Sequence, residues 1–245
     1  MRSVLRLLAL LLLSVLCLQV FFAGRIALMA VLAPQSTSFQ RSEILRLVVE
    51  KHRVPWSQDW VDDDALSSSL KRAVIASEDS TFVDHGGVDW DALEKAWEKN
   101  QKAEARAEQR NAVASAKARP VAAKIVGGST ITQQLAKNLF LSGERNLLRK
   151  GQELAVTLML ETFLSKQRIL EIYLNNVEWG EGVFGAQAAA RHYFRVDARK
   201  LSVPQAARLA VMLPAPKRYE RQPASSFLIG RAATVGARMN AVELP

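Results

Sequence analysis

The sequence predicts a mainly α-helical domain carried behind one N-terminal transmembrane helix. Three observations carry this reading: an uncharged run from Leu7 to Gly24, leucine and alanine recurring at helical spacing through most of the chain, and no stretch with the period-two alternation of a sheet. The uncharged run is flanked by Arg2 and Arg6 before it and Arg25 after it, and apolar character resumes from Ile26 to Ala33. A helix of that length spans a hydrocarbon core of ~30 Å. Residues 7–33 are therefore read as the anchor. The first acidic residue is Glu43, so residues 1–6 carry only positive side chains and are expected to stay cytoplasmic, with everything after the span outside. A cleaved signal peptide is the competing reading. The length of the apolar stretch and the lack of a clean small-x-small site after it favour an uncleaved anchor.

Residues 34–69 read as a connector with a short helical or extended portion. Pro34 to Ser38 makes a polar exit, while Pro55, Trp56 and Trp60 suit either the headgroup level or an ordinary core. Residues 70–245 form the main domain. Leu70 to Ser77 reads as a buried helix end that delivers Glu78 and Asp79 into a turn. Asp91 to about Lys117 reads as a long charged helix, with Asp91–Lys95 and Glu98–Lys102 at favourable spacing. Its alanines alternate with charge and give no apolar face, so the far part is expected to be solvated and mobile up to Pro120. Helices are then expected over Asn146–Leu164, Lys166–Asn176 and Val183–Phe194. Ser202, Pro204 and Gln205 announce a further helix, which Pro214 and Pro216 are expected to end.

The formal net charge is +9, and without Arg2, Arg6 and Arg25 it is +6 on residues 34–245. A basic domain tethered beside a bilayer is attracted to anionic and phosphate-bearing lipids. Acids are mixed among the bases and the chain has an apolar anchor, so nucleic acid is set aside as a partner. Cys17 is the only cysteine and lies in the span, which leaves the outer domain without a disulfide, a cysteine nucleophile or a cysteine-held metal.

The chemistry concentrates in three blocks. In the first, Glu78 and Asp79 precede Phe82, His85, Gly87 and Asp89. Partial burial and a neighbouring carboxylate both raise the pKa of Glu78, which suits a proton acceptor near neutral pH. Glu-Asp pairs are also common on surfaces, and His85 suits a loop hydrogen bond. The second block is Gly127-Gly128-Ser129-Thr130-Ile131-Thr132-Gln133-Gln134-Leu135-Ala136-Lys137-Asn138, a glycine turn feeding a helix start. Such a turn can present amides and the positive dipole end to a phosphate. Thr130 and Gln133 stand at capping-box spacing, so a loop end and a cap explain the block without any ligand. The third is Arg145, Arg149, Lys150 and Glu153, which a solvated salt-bridged face also explains. The functional alternative has Lys137, Arg145 and Arg149 or Lys150 neutralising a leaving pyrophosphate while Glu153 orients the reacting groups. No residue set marks a dedicated metal cage; a divalent cation would enter through the substrate's phosphates.

These blocks, in this order, resemble the first three signature motifs of the peptidoglycan glycosyltransferases. Lys166-x-x-Ile169-Leu170-Glu171-x-Tyr173-Leu174-Asn175, with Gly180, Gly185, Ala188, Ala189, Ala190, Tyr193 and Phe194, resembles the fourth motif, and Leu201 to Pro216 resembles the fifth. The resemblance covers residues 70–216 and implies a lysozyme-like helical glycosyltransferase domain that polymerises lipid II in the bacterial inner membrane, with the domain in the periplasm. By it, Glu78 is the general base and Glu153 the second essential carboxylate. Lys137 and Arg145 contact the pyrophosphate. Asp79, Phe82, His85, Ser129, Thr130, Thr132, Gln133, Gln134, Asn138, Arg149 and Lys150 complete the substrate site. No cofactor is required, and Mg2+ or Mn2+ would act only with the diphosphate. The partners are lipid II and the growing glycan strand, with cell-division or elongation proteins as candidate protein partners. About thirty residues follow the fifth motif, which reads as a monofunctional enzyme. The 91–124 stretch is longer than this family usually has there. The alternatives are a membrane-anchored lysozyme-like hydrolase or lytic transglycosylase, which needs no pyrophosphate cradle, and a non-catalytic divisome scaffold.

Overall fold

A computed structural model describes residues 2–113, 122–123, 125, 127–141 and 146–245. The first element is α1 (Arg2–Leu28), a single helix about 40 Å long and apolar enough to cross a membrane. It ends in turns at Met29 to Val31, short of the Ala33 boundary read from the apolar run. The outer end of α1 is built into the domain: Ile26 and Met29 are buried, and the Met29 carbonyl accepts from Arg168 Nε at 2.8 Å.

Residues 34–69 are more than a link. Thr37 caps α2 (Ser38–Lys51) with a capping box completed by Gln40. α2 turns polar residues inward and leaves Leu45, Val48 and Val49 exposed. Its buried Glu43 accepts from Arg46 at 2.5 Å and from Lys217 at 2.6 Å. Burial raises the pKa of Glu43, yet the hydrogen bonds from Arg46 and Lys217 outweigh it and hold the carboxyl below its usual value. Lys217 also approaches Glu178 at 3.2 Å, and there burial prevails and pushes the carboxyl up to about 7.

The rest is mainly helical: α3 (Ser68–Glu78), α4 (Trp90–Val113), α5 (Ile131–Phe140), α6 (Leu147–Phe163), α7 (Lys166–Asn176), α8 (Ala186–Phe194), α9 (Val203–Met212), α10 (Pro216–Arg221) and α11 (Ser226–Arg238). α7 is buried along its whole length from Ile169 to Asn176, polar Glu171, Asn175 and Asn176 included, which makes it the central helix of the domain. α3 packs on α9 through Leu70, Ala73 and Val74 against the small residues Ala206, Ala207 and Ala210, and α11 covers α9. α6 lies against α5 and α1. Gln19 on α1 and Gln152 on α6 exchange two amide hydrogen bonds of 2.9 and 3.2 Å, and Phe22 meets Phe140 edge-on at 5.1 Å.

Three expectations change. A small sheet is present, with β1 (Ser57–Gln58) parallel to β3 (Val183–Phe184) and β2 (Glu178–Gly180) antiparallel to it. Strands this short cannot show an alternation. The helix expected from Val183 begins at Ala186, because Val183 and Phe184 pair in β3 and Gly185 takes a φ of 81° as N-cap. Pro216 does not end a helix but opens α10, where its missing N–H is not needed. The expected continuation of α4 toward Lys117 and Pro120 lies outside the described residues. Both tryptophans belong to the domain: Trp56 stacks on Phe184 at 4.5 Å, and Trp60 packs against the core beneath Arg168.

Gly182 turns β2 into β3 at a φ of 75°, and a Cβ there would lie 1.9 Å from the Pro55 carbonyl oxygen. Both the strained φ and the backbone clash oppose any side chain. Gly182→Ala is expected to lower the unfolding free energy by roughly 3 kcal/mol, read as an earlier urea midpoint of the detergent-solubilised protein.

Candidate active site

Glu78 is the last residue of α3, where the helix places an acid at the negative end of its own dipole. It lines a cleft of about 370 Å³ together with Ser77, Asp79, Ser80, Thr81, Asp89, Lys95, Lys99 and the Gly127-Gly128-Ser129-Thr130 turn. A neighbouring depression of about 700 Å³ shares Thr81, Asp89 and Lys95 with the cleft and reaches exposed Trp90. Glu78 and the glycine turn therefore line one groove. Burial raises the pKa of Glu78 and is the largest effect. Hydrogen bonds from Gln134 at 3.1 Å and Ser77 at 3.4 Å pull it back, as does the charge of Arg231 on α11, while Asp79 adds to the rise.

Asp79 joins the blocks. Its carboxylate accepts the Ile131 N–H at the start of α5 at 2.9 Å and meets His85 Nε2 at 2.9 Å. The Gly87 N–H donates to His85 Nδ1, so the imidazole gives its Nε2 proton to Asp79. Thr130 completes its capping box with Gln133 and donates its hydroxyl to the Gly87 carbonyl at 2.6 Å. Asp79, His85 and Asp89 bring ligand-type atoms within 4.8 Å of one another. Internal hydrogen bonds already occupy them, those of Asp89 coming from Thr81 and the Ala92 N–H.

Several residues assigned to substrate contact point inward instead. Phe82 is fully buried beneath the Lys166 ammonium, which lies 4.5 Å from the ring centre. Thr132 is fully buried and donates to Glu161 at 2.6 Å, and the Gln133 side chain is spent on the cap. These three support the loop and the helix start, and none of them lines the cleft or the depression beside it. His85 makes loop hydrogen bonds and also lines the neighbouring depression. Lys166 ties the layers together by donating to the His85 carbonyl at 2.6 Å and to Glu161 at 2.9 Å.

Gln134, Lys137 and Asn138 share one face of α5 by helical spacing, so the residue that touches Glu78 stands one turn from the exposed, engaged Lys137. Ser129 is exposed in the turn. Glu153 is buried on α6 and pairs with Arg149 at 2.8 Å and with Lys150, so the three form the salt-bridged cluster that their spacing suggested. Arg145 lies outside the described residues. The sequence reading missed Lys95, Lys99 and Trp90 on α4, because a charged alanine-rich helix reads as solvated on all sides. It missed Arg231 because no motif reaches α11.

The raised pKa sets a pH dependence. Below the unfolded value of 4.5 Glu78 is protonated in both states and costs nothing. As pH rises, the unfolded chain ionises first while the fold still holds its proton, so stability falls from about 4.5 up through the folded pKa. Glu78→Gln is expected to match the wild type at pH 4 and to exceed its thermal midpoint at pH 7.5, with unchanged helix content by circular dichroism.

The transglycosylase family model matches residues 46–240. Among similar proteins are biosynthetic peptidoglycan transglycosylases from three bacteria. That of Paraburkholderia phytofirmans is 49% identical over 93% of this chain and 87% of its own. That of Janthinobacterium sp. is 50% identical over 95% and 93%, and that of Burkholderia thailandensis 49% over 93% and 82%. The chain belongs to the transglycosylase family, enzymes that transfer glycosyl groups, and its domain has the family's lysozyme-like helical fold.

Proposed function

We propose that this chain is a peptidoglycan transglycosylase that polymerises lipid II into β-1,4-linked glycan strands. Glu78 is the general base. Its carboxylate takes the proton from the acceptor's GlcNAc 4-hydroxyl as that oxygen bonds to the anomeric carbon of the donor's terminal MurNAc. The bond from that carbon to the phosphate oxygen breaks with inversion, and undecaprenyl diphosphate leaves. Lys137 and Arg145, together with Arg149 and Lys150, neutralise the departing diphosphate. Glu153 holds Arg149 and Lys150 in place, and a divalent cation, where one takes part, arrives with the substrate's phosphates. The domain works on the periplasmic face of the inner membrane, beside the bilayer that delivers the lipid substrate.

The observation that carries this reading is the single groove in which the Glu78 carboxylate faces the Gly127–Thr130 turn, with Gln134 bonded to it from the helix that also bears Lys137. A hydrolase needs the acid but not a glycine turn and lysines in the same groove. Detergent-solubilised protein given labelled lipid II is expected to form a muramidase-sensitive polymer, and Glu78→Gln to slow this by about 10³-fold, the scale of a lost general base. Cleavage of preformed glycan without polymerisation would contradict the proposal.

A further inference from the structure

Tyr173 is fully buried at the centre of α7, a costly place for a hydroxyl that has no partner. Its partner is Gln134: the Tyr173 hydroxyl donates to Gln134 Oε1 at 2.9 Å, and Gln134 Nε2 donates to Glu78 Oε2 at 3.1 Å. A side-chain amide has one accepting end and one donating end, and an ionised carboxylate only accepts. A phenol can donate or accept, but Gln134 Oε1 is the one acceptor the Tyr173 hydroxyl has among the described residues, so placing its proton there turns the NH2 end to Glu78. Reversing the amide would set two oxygens against each other beside Glu78 and leave the tyrosine facing an NH2 group.

We propose that Tyr173 is a positioning residue of the transfer reaction: its hydroxyl fixes the polarity of the Gln134 amide so that this amide donates to the Glu78 carboxylate. The proposal rests on Glu78 being the base. Tyr173 keeps its proton over the whole working range, because burial and the charges of Glu78 and Asp79 push its pKa well above the usual value. The Gln134 bond is in turn the strongest of the interactions that oppose the effect of burial on Glu78.

Among the described residues, the other charged groups around Glu78 are Asp79 beside it, Asp89 from the loop, Lys95 and Lys99 from α4, and Arg231 from α11. Tyr173→Phe leaves all of them in place. A shift between wild type and variant therefore reads the amide alone.

The test is the pH profile of kcat/KM for lipid II polymerisation in Tyr173→Phe. The acid limb is expected to move up by about one pH unit, so that activity falls about tenfold below the limb and recovers above it, with KM nearly unchanged. Gln134→Met is expected to shift the limb by itself, and adding Tyr173→Phe to it to cause no further shift. Gln134→Met alone keeps the test decisive if Tyr173→Phe folds poorly: a limb that does not move in that variant overturns the proposal. A Tyr173→Phe protein whose activity drops equally at every pH, or a second shift in the double variant, overturns the proposal and leaves the base intact. A Glu78→Gln protein with wild-type turnover would overturn the base assignment itself, and the proposal with it.

Discussion

The structure is organised around one electrostatic constraint: a carboxylate at the C-terminal end of α3, where burial and the helix dipole both disfavour its charge. A sequence selected only for stability would not put an acid there. The surroundings compensate in part, through the Gln134 amide, the Ser77 hydroxyl and the distant charge of Arg231. The result is a carboxylate that is ready to accept a proton and is held in one position while it does so. Stability given up at Glu78 reappears in the loop that follows, where Asp79, His85, Thr130 and Lys166 close a ring of hydrogen bonds between α3, α5 and α7.

The anchor enters the same design. Gln19 lies within the apolar run of α1, about 9 Å along the axis from Arg25, and its amide is satisfied by Gln152. In apolar surroundings two amides that satisfy each other hold a defined register between helices. Gln152 precedes Glu153, so the helix bearing the Arg149–Lys150–Glu153 cluster is the one clasped to the span. The position of this cationic end relative to the anchor is thus fixed by side-chain contacts and not only by the chain linking them.

Much of this was legible in the sequence, for identifiable reasons. Capping boxes at Thr130 and Ser202 and the helical spacing of apolar residues in Lys166–Asn176 are local signals, and the helices stand where those signals put them. The rise in the Glu78 pKa followed from its apolar approach and its acidic neighbour. The direction in which a motif residue points was not legible. Phe82, Thr132 and Gln133 carry the same letters whether they line a groove or brace it, and only packing shows that they brace it. Strands of two or three residues leave no periodicity, and Gly185 shows itself as a helix start only through its positive φ. Tyr173 read as core, which it is; the bond at its tip depends on a residue 39 positions away.

The central claim is that Glu78 is a partly buried carboxylate with an upward-shifted pKa, held by Gln134. Direct titration by infrared difference spectroscopy of the detergent-solubilised protein, with Glu78→Gln identifying the band, tests it without substrate. The account predicts a protonated carboxyl band that persists above the ordinary value of 4.5 and is missing from Glu78→Gln. A Glu78 that ionises at or below that value would contradict it.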